Sequence, residues 1–366
     1  MQPWQDVFAV LLAGGRGTRF WPLSREEHPK QLLQLFSGRS LVEETYARIR
    51  PVVPRENILV ATTSLLVTRL QQMFSDIPLE NFISEPLPRN TAPCIALACA
   101  RLLAKNKDSI LIALPSDHYV VDTNAFLEII ESAVYYARKG YIVTLGVTPT
   151  HPETGYGYIK FGEFEHEATE NKEEPKHRAR KILEFVEKPD FDTAVSYLKA
   201  GRYLWNSGIF VFRCEQMMEK IRIHLPGLAD LVEEVARLEA LGAPSDALLT
   251  TWAKMPDISI DYGVMEKAQG LVVVPASFGW SDVGSWRALR SFPTDDKGNF
   301  VRGRVVSLDS SGNVLYCTAG ILCTVGCKDM VVVVTKGACL VCPVERTQDV
   351  KALVEELRRR GFTEYL

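Results

Sequence analysis

Apolar residues along this chain fall in short runs, at 7–13, 58–62, 110–114, 141–147, 182–186, 209–212 and 271–275. Several lack polar alternation, which predicts strands covered on both faces. Helical stretches stand between them. One starts at Leu41, where Ser40 and Glu43 have capping-box spacing. Another runs from Thr91 to Lys105 and is apolar nearly all round, so it belongs in the interior. Strand and helix alternate, which predicts an α/β architecture, a doubly wound mixed sheet that is mostly parallel. Residues 162–181 are charged and have no apolar period, and read as an exposed excursion.

After Trp286 the pattern changes. Short β-rich runs at 305–308, 314–317, 331–334 and 339–341 are separated by Gly, Asn and Asp. A closing helix is expected from Thr347 to Arg360, stopped by Gly361. Short strands at near-regular spacing suggest a small β-helix or β-roll. The expected division is a large domain over 1–290 and a small β domain over 291–366. Edge strands of the small domain could pair with a second copy, so a homodimer is expected.

Composition narrows the class. The chain has 366 residues, 46% apolar and 24% charged, with a formal net charge of −3. That balance gives no general drive toward nucleic acid or anionic lipid. No apolar run reaches the roughly 18 residues that a membrane span needs, and no secretory leader is visible. A cytoplasmic enzyme is therefore expected. Of eight cysteines, Cys323, Cys327, Cys339 and Cys342 invite a zinc reading. Residues three apart on a strand face opposite sides, so small thiols in a reducing compartment are the better reading.

Chemistry concentrates where the first strand meets Gly14-Gly15-Arg16-Gly17-Thr18-Arg19. A glycine-rich turn lets phosphate approach backbone N–H groups, and Arg16, Arg19, Arg25 and Lys30 add positive charge around it. The spacing is not Walker A, because Arg19 occupies its second glycine position. Phe20 likewise breaks the dinucleotide fingerprint. Asp117 follows the 110–114 run and Asp282 lies in a Gly-Trp-Ser-Asp-Val-Gly turn. Each could ligate Mg²⁺ through oxygen, or serve more simply, Asp117 as a helix cap and Asp282 as a turn residue.

Leu12-Ala13-Gly14-Gly15-Arg16-Gly17-Thr18-Arg19, Trp21-Pro22-Leu23-Ser24 and Pro29-Lys30-Gln31 together resemble the signature of the sugar-phosphate nucleotidylyltransferases. The Trp-Pro-Leu-Ser variant is similar to that of the mannose-1-phosphate guanylyltransferases. Further matching blocks follow in order, among them Glu85-Pro86, Arg89-Asn90-Thr91, Asp117-His118, Glu153-Thr154-Gly155-Tyr156-Gly157-Tyr158 and Phe185-Val186-Glu187-Lys188-Pro189. Trp205-Asn206-Ser207-Gly208, Ser259-Ile260-Asp261-Tyr262 and Gly279-Trp280-Ser281-Asp282-Val283-Gly284 complete the series.

This resemblance implies a Rossmann-like (GT-A-like) nucleotidyltransferase domain and a small C-terminal left-handed β-helix-like domain. It implies substrates GTP and mannose 1-phosphate, with Mg²⁺ or another divalent cation as cofactor. Arg19 and Lys30 would then act on the reacting phosphates, Gly14, Gly15, Gly17, Glu85 and Asn90 would bind nucleotide, and Asp117 and Asp282 would hold the metal. Gly155, Glu187, Lys188 and Asn206 would bind the sugar phosphate. A carboxylate at Glu85 matches the two parallel donors of guanine, whereas thymine or uracil would suit an amide. Asp261 reads either as a sugar contact or, preferably, as a helix cap. Other sugar 1-phosphates or nucleotides fit the same scaffold, and a catalytically silent regulatory homologue is the alternative of a different class.

Overall fold

The computed structural model describes residues 4–15, 17–165 and 175–366, which divide into two compact units interleaved along the sequence. The first comprises residues up to Gly14, Thr45–Ser116 and Val120–Trp280; the second comprises Gly15–Glu44, Asp117–Tyr119 and Ser281–Leu366.

The first unit is built on a nine-stranded mixed sheet. Its strands in chain order are β1 (Val7–Leu12), β2 (Ile58–Thr63), β3 (Phe82–Glu85), β4 (Ile110–Pro115) and β5 (Ile142–Val147). They continue with β6 (Tyr158–Phe164), β7 (Arg180–Val186), β8 (Tyr203–Arg213) and β9 (Leu271–Ala276). The spatial order is β3-β2-β1-β4-β8-β5-β9-β7-β6. β1 pairs in parallel with β2 and β4, β2 with β3, and β5 with β9. The antiparallel pairings gather around β8, which runs against β4, β5 and β6, and around β7.

Helix Thr91–Lys105 is interior, as its all-round apolarity requires. Ile95, Leu97 and Cys99 share one core cluster with Met217, Met218 and Ile221 of helix Cys214–His224 and with Leu228 and Val232 of helix Pro226–Ala240. Burial of such side chains contributes roughly 1.5–3 kcal/mol each, and it fixes the carboxyl ends of β1 and β3 where candidate ligand groups emerge.

Two local expectations change. β8 begins at Tyr203, not at 209, so Trp205-Asn206-Ser207-Gly208 lies within a strand. β6 reaches Phe164 and β7 starts at Arg180, so strands take up both ends of the expected excursion. Residues 166–174 of that excursion lie outside the described residues.

In the second unit, β10 (Phe300–Arg302), β12 (Val314–Cys317) and β14 (Met330–Val334) stack in parallel, with Phe300 opposite Val314 and Val314 opposite Val331. β11 (Val305–Leu308) and β13 (Leu322–Val325) form a second parallel ladder, and β15 (Cys339–Pro343) closes antiparallel on β14. This is a small β-helix-like coil. Fully buried Asn299 and Asn313 stack at one corner, where Asn313 Nδ2 donates to Asn299 Oδ1 at 2.8 Å and Asn299 Nδ2 to the Ser310 carbonyl at 3.0 Å. Their amides satisfy backbone groups that a tight coil would otherwise bury unpaired.

The expected closing helix is shorter than 347–360: residues Val344–Asp349 form a 3-10 turn, and the α-helix spans Val350–Arg359. Phe20, Trp21, Leu33 and Leu35 share a core with Val283, Trp286, Val314, Val331 and Val354. The chain after the glycine loop is thus clamped to the β-helix coil, which fixes the base of the candidate phosphate site.

Candidate functional site

In the second unit, a compact charged group forms around Lys30. Gly17 has φ 60°, and a Cβ there would stand 2.2 Å from the Lys30 Cβ, so only glycine admits the approach. Pro29 leads into a 3-10 turn, Lys30–Leu32, that leaves Lys30 only 7% exposed. Lys30 Nζ donates to Asp117 Oδ2 at 2.8 Å and to the Asp282 carbonyl. Asp117 does not cap a helix. The next one, Thr123–Arg138, is capped by Asp122, whose side chain accepts from the Ala125 N–H at 2.9 Å.

Asp282 is aimed by a strained turn. Val283 has φ 48° and is wholly buried, a conformation that costs a β-branched residue about 1–3 kcal/mol and that its apolar packing enforces. The Gly284 N–H donates to Asp282 Oδ1 at 2.9 Å, and a Cβ on Gly284 would stand 2.7 Å from Oδ2. Gly17, Arg19, Lys30, Asp117, His118 and Asp282 line one cavity of about 210 Å³. Arg19 is exposed there and has no partner among the described residues. Burial alone would raise the Asp117 pKa, but the charges of Lys30 and His118 and the Lys30 hydrogen bond prevail and hold it below the usual carboxylate value.

An ammonium bridging a carboxylate and a carbonyl marks a point that already stabilises a cation. Its donors are oxygens, which suits a hard ion such as Mg²⁺. No cluster of three or more His, Cys, Asp or Glu that could hold a metal occurs among the described residues. Two carboxylates could hold such an ion only with water and phosphate oxygens in its other positions, the usual pattern for Mg²⁺.

The first unit carries two other groups. At the end of β3, Glu85 is 5% exposed, and a Cβ on Gly14 would stand 3.4 Å from its Oε1. Burial raises the Glu85 pKa to about 7, against a weaker pull downward from the Arg89 N–H. Asn90, at φ 64°, uses its side chain to accept from the Thr91 N–H at 3.0 Å and so caps the buried helix. Gly15 has open space around its Cβ position.

The other group surrounds Glu187, Lys188 and Asn206. Lys188 Nζ donates to Glu187 Oε1 at 2.8 Å and lies 5.7 Å above the Tyr262 ring. Glu187 Oε2 is buried without a hydrogen-bond partner. A Cβ on Gly157 would stand 2.3 Å from it, so Gly157 is the glycine this group requires. Gly155 instead sits in an exposed turn where its N–H donates to Glu153 Oε1 at 2.8 Å.

Asn206 Nδ2 donates to Asp261 Oδ1 at 2.8 Å, and Thr144 Oγ1 donates to Asn206 Oδ1 at 3.1 Å. Asp261 therefore does not cap: its one-turn π-helix, Asp261–Met265, has no side-chain cap, and its carboxylate orients Asn206. Burial, with the nearby Glu187 charge, raises the Asp261 pKa to about 6. Glu266, also passed over in the sequence, accepts from the Glu187 N–H at 2.8 Å. Only its place after Ser259-Ile260-Asp261-Tyr262 could have suggested it.

Arg25 does not join the charged group around Lys30. Its guanidinium lies 5.6 Å from the Trp21 ring centroid and lines a different cavity from that of Lys30. Arg16 lies outside the described residues.

The nucleotidyl transferase family matches residues 8–297, and the MannoseP isomerase/GMP-like β-helix domain matches residues 303–357. A mannose-1-phosphate guanylyltransferase of Salmonella montevideo is 39% identical over 98% of this chain and 76% of its own length. The Escherichia coli protein of the same name is 36% identical over 98% of this chain and 75% of its own. The crystal structure described as a mannose-1-phosphate geranyltransferase from Thermus thermophilus superposes with TM-score 0.86 and 38% identity, covering 97% of this chain and 100% of that one. No described helix is long and apolar enough to cross a membrane. The chain belongs to the nucleotidyl transferase family, with the β-helix-like domain appended.

Proposed function

We propose that this enzyme transfers GMP from GTP to α-D-mannose 1-phosphate, forming GDP-mannose and pyrophosphate. The observation that carries the reading is the cavity in which Arg19, Lys30, Asp117 and Asp282 converge. Relatives named mannose-1-phosphate guanylyltransferase, 36–39% identical over nearly the whole chain, support the choice of sugar and nucleotide.

The chemistry needs no side-chain base. The second pKa of a sugar phosphate is about 6, so at pH 7 its oxygen is already largely ionised. That oxygen forms a bond to the α-phosphorus of GTP, the bond to the bridging oxygen breaks, and pyrophosphate leaves with the electron pair. The barrier lies in aligning two anions that repel each other. Lys30 and Arg19 offset that repulsion on the reacting phosphates, with Gly17 keeping Lys30 close to the loop. Asp117 and Asp282 would hold Mg²⁺, which when bound neutralises phosphate charge.

Glu85, beside Gly14, accepts the two parallel guanine donors, and Gly14 and Gly15 leave room for the nucleotide. Lys188 holds the sugar phosphate, while Glu187 Oε2 and Asn206 accept from or donate to sugar hydroxyls. Asn90 serves this reading through the helix it caps. The enzyme is proposed to act as a cytoplasmic homodimer. Product analysis with each nucleoside triphosphate against a panel of sugar 1-phosphates tests the assignment. GDP-mannose should be the preferred product by a wide margin; equal use of a thymidine or uridine nucleotide would overturn the role of Glu85.

A further inference from the structure

The second unit contains another cavity, of about 440 Å³, walled by Trp21, Ser24, Arg25, Lys351, Val354 and Glu355. It is twice the size of the one around Lys30 and falls in the range of about 300–1,000 Å³ usual for small-molecule sites. Two buried polar groups in its wall have no partner: Ser24 Oγ, on a residue only 3% exposed, and Arg25 Nη1. An unmade hydrogen bond at a buried group costs about 1–3 kcal/mol, more at a charged one, so such atoms in a cavity wall call for an acceptor inside it.

The rest of the wall narrows what that acceptor belongs to. Lys351 has no hydrogen-bond or ion-pair partner among the described residues, whereas Arg358 is paired with Glu26 at 2.7 Å. Lys351 is thus the uncommitted cation of this wall, and Ser24 and Arg25 each keep one enclosed polar atom unpaired beside it. Trp21 and Val354 give it a flat apolar side, and Glu355 can accept from a hydroxyl or amino edge.

We infer that this cavity is a second small-molecule site, taking a compound with a flat apolar body and one anionic group, phosphate or carboxylate, on Ser24, Arg25 and Lys351. Thr18 lines both this cavity and the one around Lys30. It opens the 3-10 turn Thr18–Phe20 that carries Arg19. Occupancy thus bears on the position of Arg19 and changes turnover. That second step rests on the proposed function; binding itself does not.

The test uses the full chain and 8-anilinonaphthalene-1-sulfonate, a flat aromatic anion whose fluorescence reports binding. One saturable site is expected, with affinity falling about tenfold or more in Lys351→Glu and in Val354→Trp, the scale of one lost charge-assisted hydrogen bond or of a filled cavity. Displacement by phenyl phosphate at lower concentration than by benzoate assigns a phosphorylated ligand, and the reverse a carboxylated one. Should Val354→Trp fail to fold, exposed Lys351→Glu gives the same reading. Unchanged dye affinity in Lys351→Glu, or displacement by neither anion, would overturn the inference and leave the cavity to water. Loss of GDP-mannose synthesis in the parent with dye binding intact would overturn the proposed reaction but not this site.

Discussion

The Lys30 group of the second unit and the Glu85 and Asp261 groups of the first compensate their carboxylates differently. In the second unit, Asp117 is paired with Lys30, and its pKa is held down although burial alone would raise it. In the first unit, no cation is paired with Glu85, and Lys188 pulls only weakly on Asp261; burial, joined at Asp261 by the Glu187 charge, carries them up to about 7 and about 6. A paired carboxylate beside a lysine is equipped to meet further cations and phosphate charge. An uncompensated one is equipped to accept hydrogen bonds from neutral donors such as a base edge or a sugar hydroxyl.

The largest effect should follow removal of the cation that defines the second unit. Lys30→Met should lower turnover by about 10²–10³-fold, the usual loss when one preorganised charge is removed from a phosphoryl site. Arg19→Ala should cost a similar factor with Tm unchanged, because Arg19 is exposed and unpaired among the described residues. Steady-state kinetics beside thermal melts separates the two. A turnover drop that tracks melting in both would reduce the cluster to a structural role.

The next effect lies in the first unit. Glu85→Gln should raise KM for GTP by about 10–100-fold, the scale of one bidentate base contact, with a smaller change for other nucleotides. Gly157→Ala should raise KM for mannose 1-phosphate by about tenfold, because its Cβ would stand 2.3 Å from Glu187 Oε2. Gly155→Ala, in an exposed turn, should change little. If the two alanine variants behaved alike, Glu187 would lose its place in the sugar site.

A smaller effect concerns pH and stability. Glu85 is raised from its unfolded value, so its contribution to stability is present below about 4.5 and is lost as pH rises through about 7. Glu85→Gln should therefore melt higher than the parent at pH 8, by on the order of 1–3 kcal/mol, with the advantage gone at pH 4. KM for GTP in the parent should rise as pH falls below 7, since a protonated Glu85 cannot accept both guanine donors. A flat profile would mean that Glu85 is ionised throughout.

Much of this was readable from the chain because phosphate sites depend on local sequence. Gly17, Arg19 and Lys30 lie within one short stretch, and Asp117 follows an unbroken apolar strand. What stayed hidden depends on contacts distant in sequence. Asp261 looked like a cap because Ser-Ile-Asp-Tyr precedes a helical turn, and only the pairing of β8 with β5 and β6 brings Asn206 within its reach. Gly155 and Gly157 are equivalent in sequence, and only the fold places Glu187 against one of them. Arg25 seemed part of the phosphate loop by proximity, but its guanidinium lies against Trp21 instead. Residues 15–44 and 117–119 join the β-helix unit through apolar side chains such as Phe20, Leu33 and Tyr119, whose partners lie far along the chain.

The most direct test is pyrophosphate release from GTP and mannose 1-phosphate with magnesium supplied or chelated, in the parent and in Asp117→Asn and Asp282→Asn. Turnover should vanish on chelation, return with added magnesium, and fall at least about 10²-fold in each folded variant. Full turnover after chelation, or variants within a few-fold of the parent, would contradict the assignment of phosphate chemistry to this cluster.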